Sequence, residues 1–261
     1  MQKKTLVLAT FFLVAISTTK LFAVRPFITD DAAVALYKQF QLETWTYFDK
    51  FGGKHWFQVG YGLTRRLELS FAGVYGYALP DDEKSEFSFT MPLLEAKFLF
   101  RESLPDKPPG IAMALGTHLP TGKGEFVPAG RGAYTFLCAT QTFGEDENIV
   151  FHGNVGLNYL YEDSENNYIS YWGIGTQIKA YKGLHAVFEI ISGDPYDPKT
   201  GLAYQAGFRY FISDNIQVDA EIGQGISGDF QVPFWAGFGL RFATLTPKRM
   251  AKKFPPMPTG R

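Results

Sequence analysis

The chain has a single cysteine, Cys138, among 261 residues, so no intrachain disulfide can form. No second ligand lies at metal spacing from it, and it reads as a small apolar residue on a strand face. Beyond residue 23 there is no apolar run of the ~20 residues that a spanning helix needs, which excludes a helical membrane protein. Excess charge is missing too. The formal net charge is −1, and losing Lys3, Lys4 and Lys20 with a leader takes it to −4, too balanced for a nucleic-acid partner. Of the 4 histidines, His55, His118 and His185 fall on separate segments without ligand spacing, so no metal and no cofactor is expected. The stretch PTGKG at 120–124 lacks the full phosphate-loop pattern, which leaves no case for a nucleotide.

What the chain does have is aromatic residues and glycine. Aromatics make up 16% of it, with 25 Phe, 14 Tyr and 27 Gly, a composition that suits many strands and turns. Its first residues are basic at Lys3 and Lys4, then apolar over 6–16, then polar up to Ala23. That order predicts a signal peptide over 1–23, cleaved between Ala23 and Val24, and hence export. Residues 24–38 follow as a separate segment, in which Thr29 or Asp30 is expected to cap one short helical turn over 32–37.

From residue 39 the pattern changes to strict alternation. In 149–161, Ile149, Phe151, Val155, Leu157, Tyr159 and Tyr161 share one face while His152, Asn154 and Asn158 share the other. The same two-residue period recurs over 40–49, 57–63, 67–77, 87–100, 111–119, 133–143, 168–181, 184–192, 202–212, 216–225 and 234–242. A Gly-Gly turn at Gly52 and Gly53 is expected to close the first hairpin. About twelve strands of roughly ten residues each are predicted, the length a tilted strand needs to cross a bilayer.

Periodicity alone does not say whether the apolar face meets a core or lipid. Connection lengths give an independent signal. Those at 64–66, 102–110, 144–148, 182–183 and 213–215 are mostly short, and those at 80–86, 120–132, 162–167, 193–201 and 226–232 are longer. Outer-membrane barrels sort their loops this way, short toward the periplasm and long toward the outside, and a soluble sandwich has no reason to. The predicted fold class is therefore all-β: an antiparallel up-and-down transmembrane β-barrel over 39–243, with a short N-terminal plug-like segment. A basic, Pro-rich periplasmic tail is expected over 244–261. Tyr159, Tyr161, Trp172, Tyr181 and Tyr210 fall near strand ends, where rings sit at the lipid–water boundary.

In that phase the lumen is lined by Glu43, Glu95, Lys97, His152, Asn154, Asn158, Lys179, Glu189, Arg209, Asp219, Glu221 and Arg241, with Trp45, Gln58, Glu68, Gln177 and Gln205 on the same face. Acids and bases are mixed, and buried charges must pair or stay hydrated, which predicts a network around a narrow water-filled path. The same network could also do no more than fill the interior. Arg25, Phe27, Asp30 and Asp31 are the plug candidates, the two acids being expected to meet Arg209 or Arg241. No catalytic residue is assigned, because His152 and Asn154 have no serine fixed beside them.

Several short motifs also fall in a characteristic order: RPFITDDA at 25–32, HLPTG at 118–122, HGNVG at 152–156, the strand of Glu189, AGFRYFISDNIQVD at 206–219 and GLRF at 239–242. With them nearly the whole chain after the leader resembles the bacterial outer-membrane barrels grouped under the MetA-pathway of phenol degradation. The resemblance implies an outer-membrane channel or transporter for small, hydrophobic or aromatic solutes; the residues themselves give no reason to expect an enzyme. Its expected partners are outer-membrane lipid, a small-molecule solute and the barrel-assembly machinery. Such barrels usually finish on an aromatic residue, whereas Phe242 is followed by a further stretch of chain. The alternative is a non-conducting structural or adhesion barrel with ligand-binding outer loops; a soluble periplasmic β-protein is the third reading.

Overall fold

The computed structural model describes residues 27–79, 86–144, 147–198, 200–228 and 234–244. The expected signal peptide, Arg25 and the tail beyond residue 244 lie outside them.

Alternating sequence becomes antiparallel sheet throughout. The strands are β1 (Phe40–Asp49), β2 (Gly52–Gly62), β3 (Leu67–Ala78), β4 (Glu86–Arg101), β5 (Gly110–His118), β6 (Gly122–Lys123), β7 (Arg131–Phe143), β8 (Ile149–Glu162), β9 (Glu165–Tyr181), β10 (Leu184–Ile191), β11 (Gly201–Ser213), β12 (Ile216–Gly228) and β13 (Trp235–Ala243). All but the two-residue β6 are wall strands. Each pairs with its neighbours in chain order, β5 passes directly to β7, and β1 pairs with β13, so the sheet closes into a twelve-strand barrel. Closure removes every free edge, which in lipid would leave backbone groups without partners. No helix among the described residues is long and apolar enough to cross a membrane.

The barrel is apolar outside and polar within. Val155, Ile174, Phe208, Ile222 and Phe238 are exposed, whereas Glu189, Gln205, Arg209 and Gln217 are almost wholly buried. A soluble protein reverses this distribution, and a barrel with lipid around it requires it.

Three local expectations are corrected. The helical turn over 32–37 does not form: 27–36 is irregular, and Tyr37 makes an isolated parallel bridge to Gly62. Its backbone donors find side chains instead of i−4 carbonyls: Ala32 N–H on Thr140 Oγ1 at 2.8 Å and Ala35 N–H on Glu68 Oε2 at 2.5 Å in the barrel wall, and Ala33 and Leu36 N–H on the nearby Asp31 and Gln39. The first hairpin turns earlier than Gly52 and Gly53, at Lys50 and Phe51. Gly52 opens β2 at φ 143°, where a Cβ would stand 2.1 Å from the Tyr77 carbonyl oxygen. The expected long connection at 162–167 is a two-residue turn at Asp163 and Ser164, both at positive φ (48° and 68°), the geometry that matches strand twist in a tight hairpin.

At one end of the barrel the connections 63–66, 102–109, 144–148, 182–183 and 214–215 join the strands; the other end carries 119–130 and 192–200, with β6 inside the former. We call these the short-turn and long-loop ends.

Candidate functional site

Alternation turns every second side chain into the barrel, many of them polar, and antiparallel register then sets complementary groups opposite one another. Arg209 on β11 faces Asp219 on β12, Glu43 on β1 faces Arg241 on β13, Glu189 on β10 faces Gln205 on β11, and His152 on β8 faces Thr140 on β7. Arg209 Nε donates to Asp219 Oδ1 at 2.7 Å and its Nη1 donates to Gln177 Oε1 at 2.9 Å, while Gln217 Nε2 donates to Asp219 Oδ2 at 2.7 Å. Arg241 Nη2 donates to Gln41 Oε1 at 2.8 Å, and Gln41 Nε2 donates in turn to Glu43. Removed from water, these charges are held by charge-assisted bonds across adjacent strands.

The residues assigned to the lumen from sequence fall on this inner face. Glu43, Glu95, Lys97, His152, Asn158, Glu189, Arg209, Asp219, Glu221 and Arg241 are buried, and Asn154 is partly so. Lys179, half-buried near the short-turn end, sits in register with His185. His152 Nδ1 is 3.1 Å from Thr140 Oγ1 and His118 Nε2 is 3.2 Å from Asn158 Oδ1, so both rings belong to the wall network.

Residues 27–37 contact that wall from several strands. The Ile28 and Thr29 N–H groups donate to the two oxygens of Glu189 at 2.7 and 2.8 Å. Asp30 exchanges two bonds with Asn154, its N–H donating to Oδ1 at 2.6 Å and its carbonyl accepting from Nδ2 at 2.8 Å. Lys97 Nζ lies 2.8 Å from Asp30 Oδ2 and 3.6 Å from Asp31 Oδ1. Arg209 covers the Phe27 ring at 5.5 Å. The expectation for Asp30 and Asp31 named Arg209 or Arg241; Asp31 does lie within electrostatic reach of Arg241, and Lys97 is a partner that the expectation overlooked. Beside this segment, a Cβ on Gly62 would stand 2.0 Å from the Leu36 carbonyl oxygen, so only glycine lets β2 and the segment approach this closely.

Further toward the long-loop end the interior becomes aromatic. Trp45 and Trp56 stack with centroids 5.7 Å apart, and Tyr196 packs edge-on against Tyr134 at 5.3 Å. Glu95 Oε2 accepts from Tyr134 Oη at 2.9 Å and from Tyr196 Oη at 2.8 Å. Sequence reasoning missed Tyr196 and Phe126, which belong to connections and have no strand phase. The available signal was an aromatic ring inside a Gly/Pro/Asp-rich stretch. Cavities of about 350 and 340 Å³ open here, the first lined by Leu93, Leu160 and Tyr196 and the second by Tyr47, Tyr77 and Trp235. Among the described residues no group of three or more His, Cys, Asp or Glu is placed to hold a metal ion.

The sequence family described as "Putative MetA-pathway of phenol degradation" matches residues 25–242. A comparison with curated proteins finds no match. Among solved structures, an outer-membrane channel from Pseudomonas putida F1 is similar at 11% identity and a TM-score of 0.65, over 85% of this chain and 100% of that one. The KdgM porin in complex with disordered oligogalacturonate is similar at 8% identity and a TM-score of 0.56, over 79% of this chain and 99% of that one. At these identities the likeness is one of fold: both are outer-membrane barrels.

Proposed function

Taking as premise that the chain belongs to the family of the MetA pathway of phenol degradation, we propose that it is an outer-membrane channel through which small, hydrophobic or aromatic solutes pass. One observation carries the reading: a closed barrel with an apolar exterior encloses a charged, hydrogen-bonded interior that leads into aromatic cavities at one end. A barrel needing only stability would gain little from burying so many charges, since well-packed apolar residues do as well or better.

In this reading the long-loop end faces outside and the short-turn end faces the periplasm. A cleaved signal peptide delivers the chain and the assembly machinery inserts it into outer-membrane lipid. The segment 24–38 is a plug, its described part resting on Glu189, Asn154, Lys97 and Glu68. The aromatic rings of the long-loop end favour apolar or aromatic solutes over sugars. No catalytic role is given to the inner histidines.

One observation favours the alternative of a non-conducting structural or adhesion barrel. Residues 27–37 and Tyr196 both occupy interior volume, so the path is narrow at two levels. Flux separates the two readings. Purified protein in liposomes should admit a small aromatic too polar to cross lipid unaided, such as benzenesulfonate or benzyltrimethylammonium, measured by its uptake, faster than protein-free liposomes. Equal rates would sink the channel reading and leave the adhesion barrel.

A further inference from the structure

The two cavities at the long-loop end share a partition. Lys54, Trp56, Phe126 and Asp197 line both. Lys54 Nζ stands 2.9 Å from Asp197 Oδ2 and 5.1 Å from the centroid of the Phe126 ring. A carboxylate on one side and a ring face on the other is the arrangement by which proteins hold a free organic ammonium. Here the protein's own lysine fills it.

The surrounding charge is of one sign. Glu125 lines both cavities, Asp49 and Asp194 the second and Glu162 the first, and Lys54 is the one Lys or Arg lining either among the described residues. Rings enclose the space as well, with Trp56 common to both cavities and Tyr47, Tyr77 and Trp235 in the second. The connections that carry Phe126 and Asp197 are tethered to the wall. Phe126 N–H donates to Ser88 Oγ at 2.8 Å, Tyr196 Oη donates to Glu95 at 2.8 Å, and Asn158 Nδ2 reaches the Asp194 carbonyl at 3.4 Å. The cradle is thereby pre-shaped, which lowers the ordering cost of filling it.

We propose that this vestibule is a binding site for organic cations, an ammonium group borne on an aromatic or apolar body, and that Lys54 occupies the ammonium position when no solute is present. The Lys54 and Asp197 side chains are 32% and 33% exposed, so their ion pair is weak and exchangeable. An entering ammonium takes the place of Nζ at the Asp197 carboxylate and under the Phe126 ring, while its body spreads over Trp56 into the cavities. The proposal deepens the channel reading by naming a solute class, and it fixes the direction in which one substitution must act. Removing the basic residue should improve binding, because Lys54 competes with the ligand.

Benzyltrimethylammonium is the probe, titrated into the full-length protein in a non-ionic maltoside and followed by calorimetry, with benzoate and benzyl alcohol as anionic and neutral comparators. Saturable binding of the cation is expected in preference to both. Lys54→Met should tighten it roughly two- to fivefold, and Asp197→Asn should weaken it by at least as much. Each variant is accepted as folded only if its unboiled and boiled forms migrate differently on a gel, as intact barrels do. A preference for benzoate, weaker cation binding in folded Lys54→Met, or no saturable binding at all would overturn the proposal. Binding without flux would instead refute the channel reading and leave the site standing; flux without binding would do the reverse.

Discussion

Lys97 of β4 and Asp30 of the N-terminal segment form an ion pair of 2.8 Å inside the barrel, with Asp31 at 3.6 Å from the same ammonium. Lys97 is buried, so the pair is not screened by solvent as a surface bridge would be. Lys97→Met would remove an ion-pair partner from both carboxylates. A loss of ~3–5 kcal/mol is expected, the cost of breaking a buried pair from one side. Urea unfolding followed by gel migration gives that number, and a change under 1 kcal/mol would show the two acids to be hydrated or otherwise paired.

Removing residues 24–38 tests the proposed plug directly. The wall strands pair with one another without using this segment except at the Tyr37 bridge, so the barrel should still close. Single-channel conductance in planar bilayers should rise, and an unchanged conductance would mean that the segment does not limit the path.

Arg209 and Asp219 make a second buried pair, at 2.7 Å between adjacent strands. Arg209→Met alone should destabilise the barrel by ~3–5 kcal/mol, because Asp219 loses its directly bonded counter-ion while remaining buried. Combined with Asp219→Asn, most of that loss should be recovered. Stability in the double variant no better than in the single one would place the role of Arg209 in packing against Phe27 rather than in pairing.

On the outer face, Leu157 of β8 is 40% exposed and lies between inward Gly156 and Asn158. Leu157→Arg should cost ~2–4 kcal/mol near the membrane midplane, read as lost insertion into lipid vesicles. Full tolerance would mean that this face does not meet lipid.

Much of this architecture was legible in the sequence, because a two-residue period decides which side chains share a face whatever their partners are. The alternation of His152, Asn154 and Asn158 against Phe151, Val155 and Leu157 put the former on one face, and the sorted connection lengths made that face the inner one. Turns were read less well. Strands β8 and β9 run on to Asp163 and Ser164 because local turn geometry, not polarity, sets where a hairpin closes.

What only the tertiary structure decided is where the segments without a period go. Residues 27–37 contain good capping residues, yet stay irregular because Glu189, Asn154, Thr140 and Glu68, from strands distant in sequence, offer their backbone N–H groups better-placed acceptors than a single isolated turn could. Tyr196, Phe126 and the Lys54–Asp197 pair meet for the same reason: closure of the barrel gathers connections from separate hairpins over one opening, a proximity that no spacing along the chain encodes.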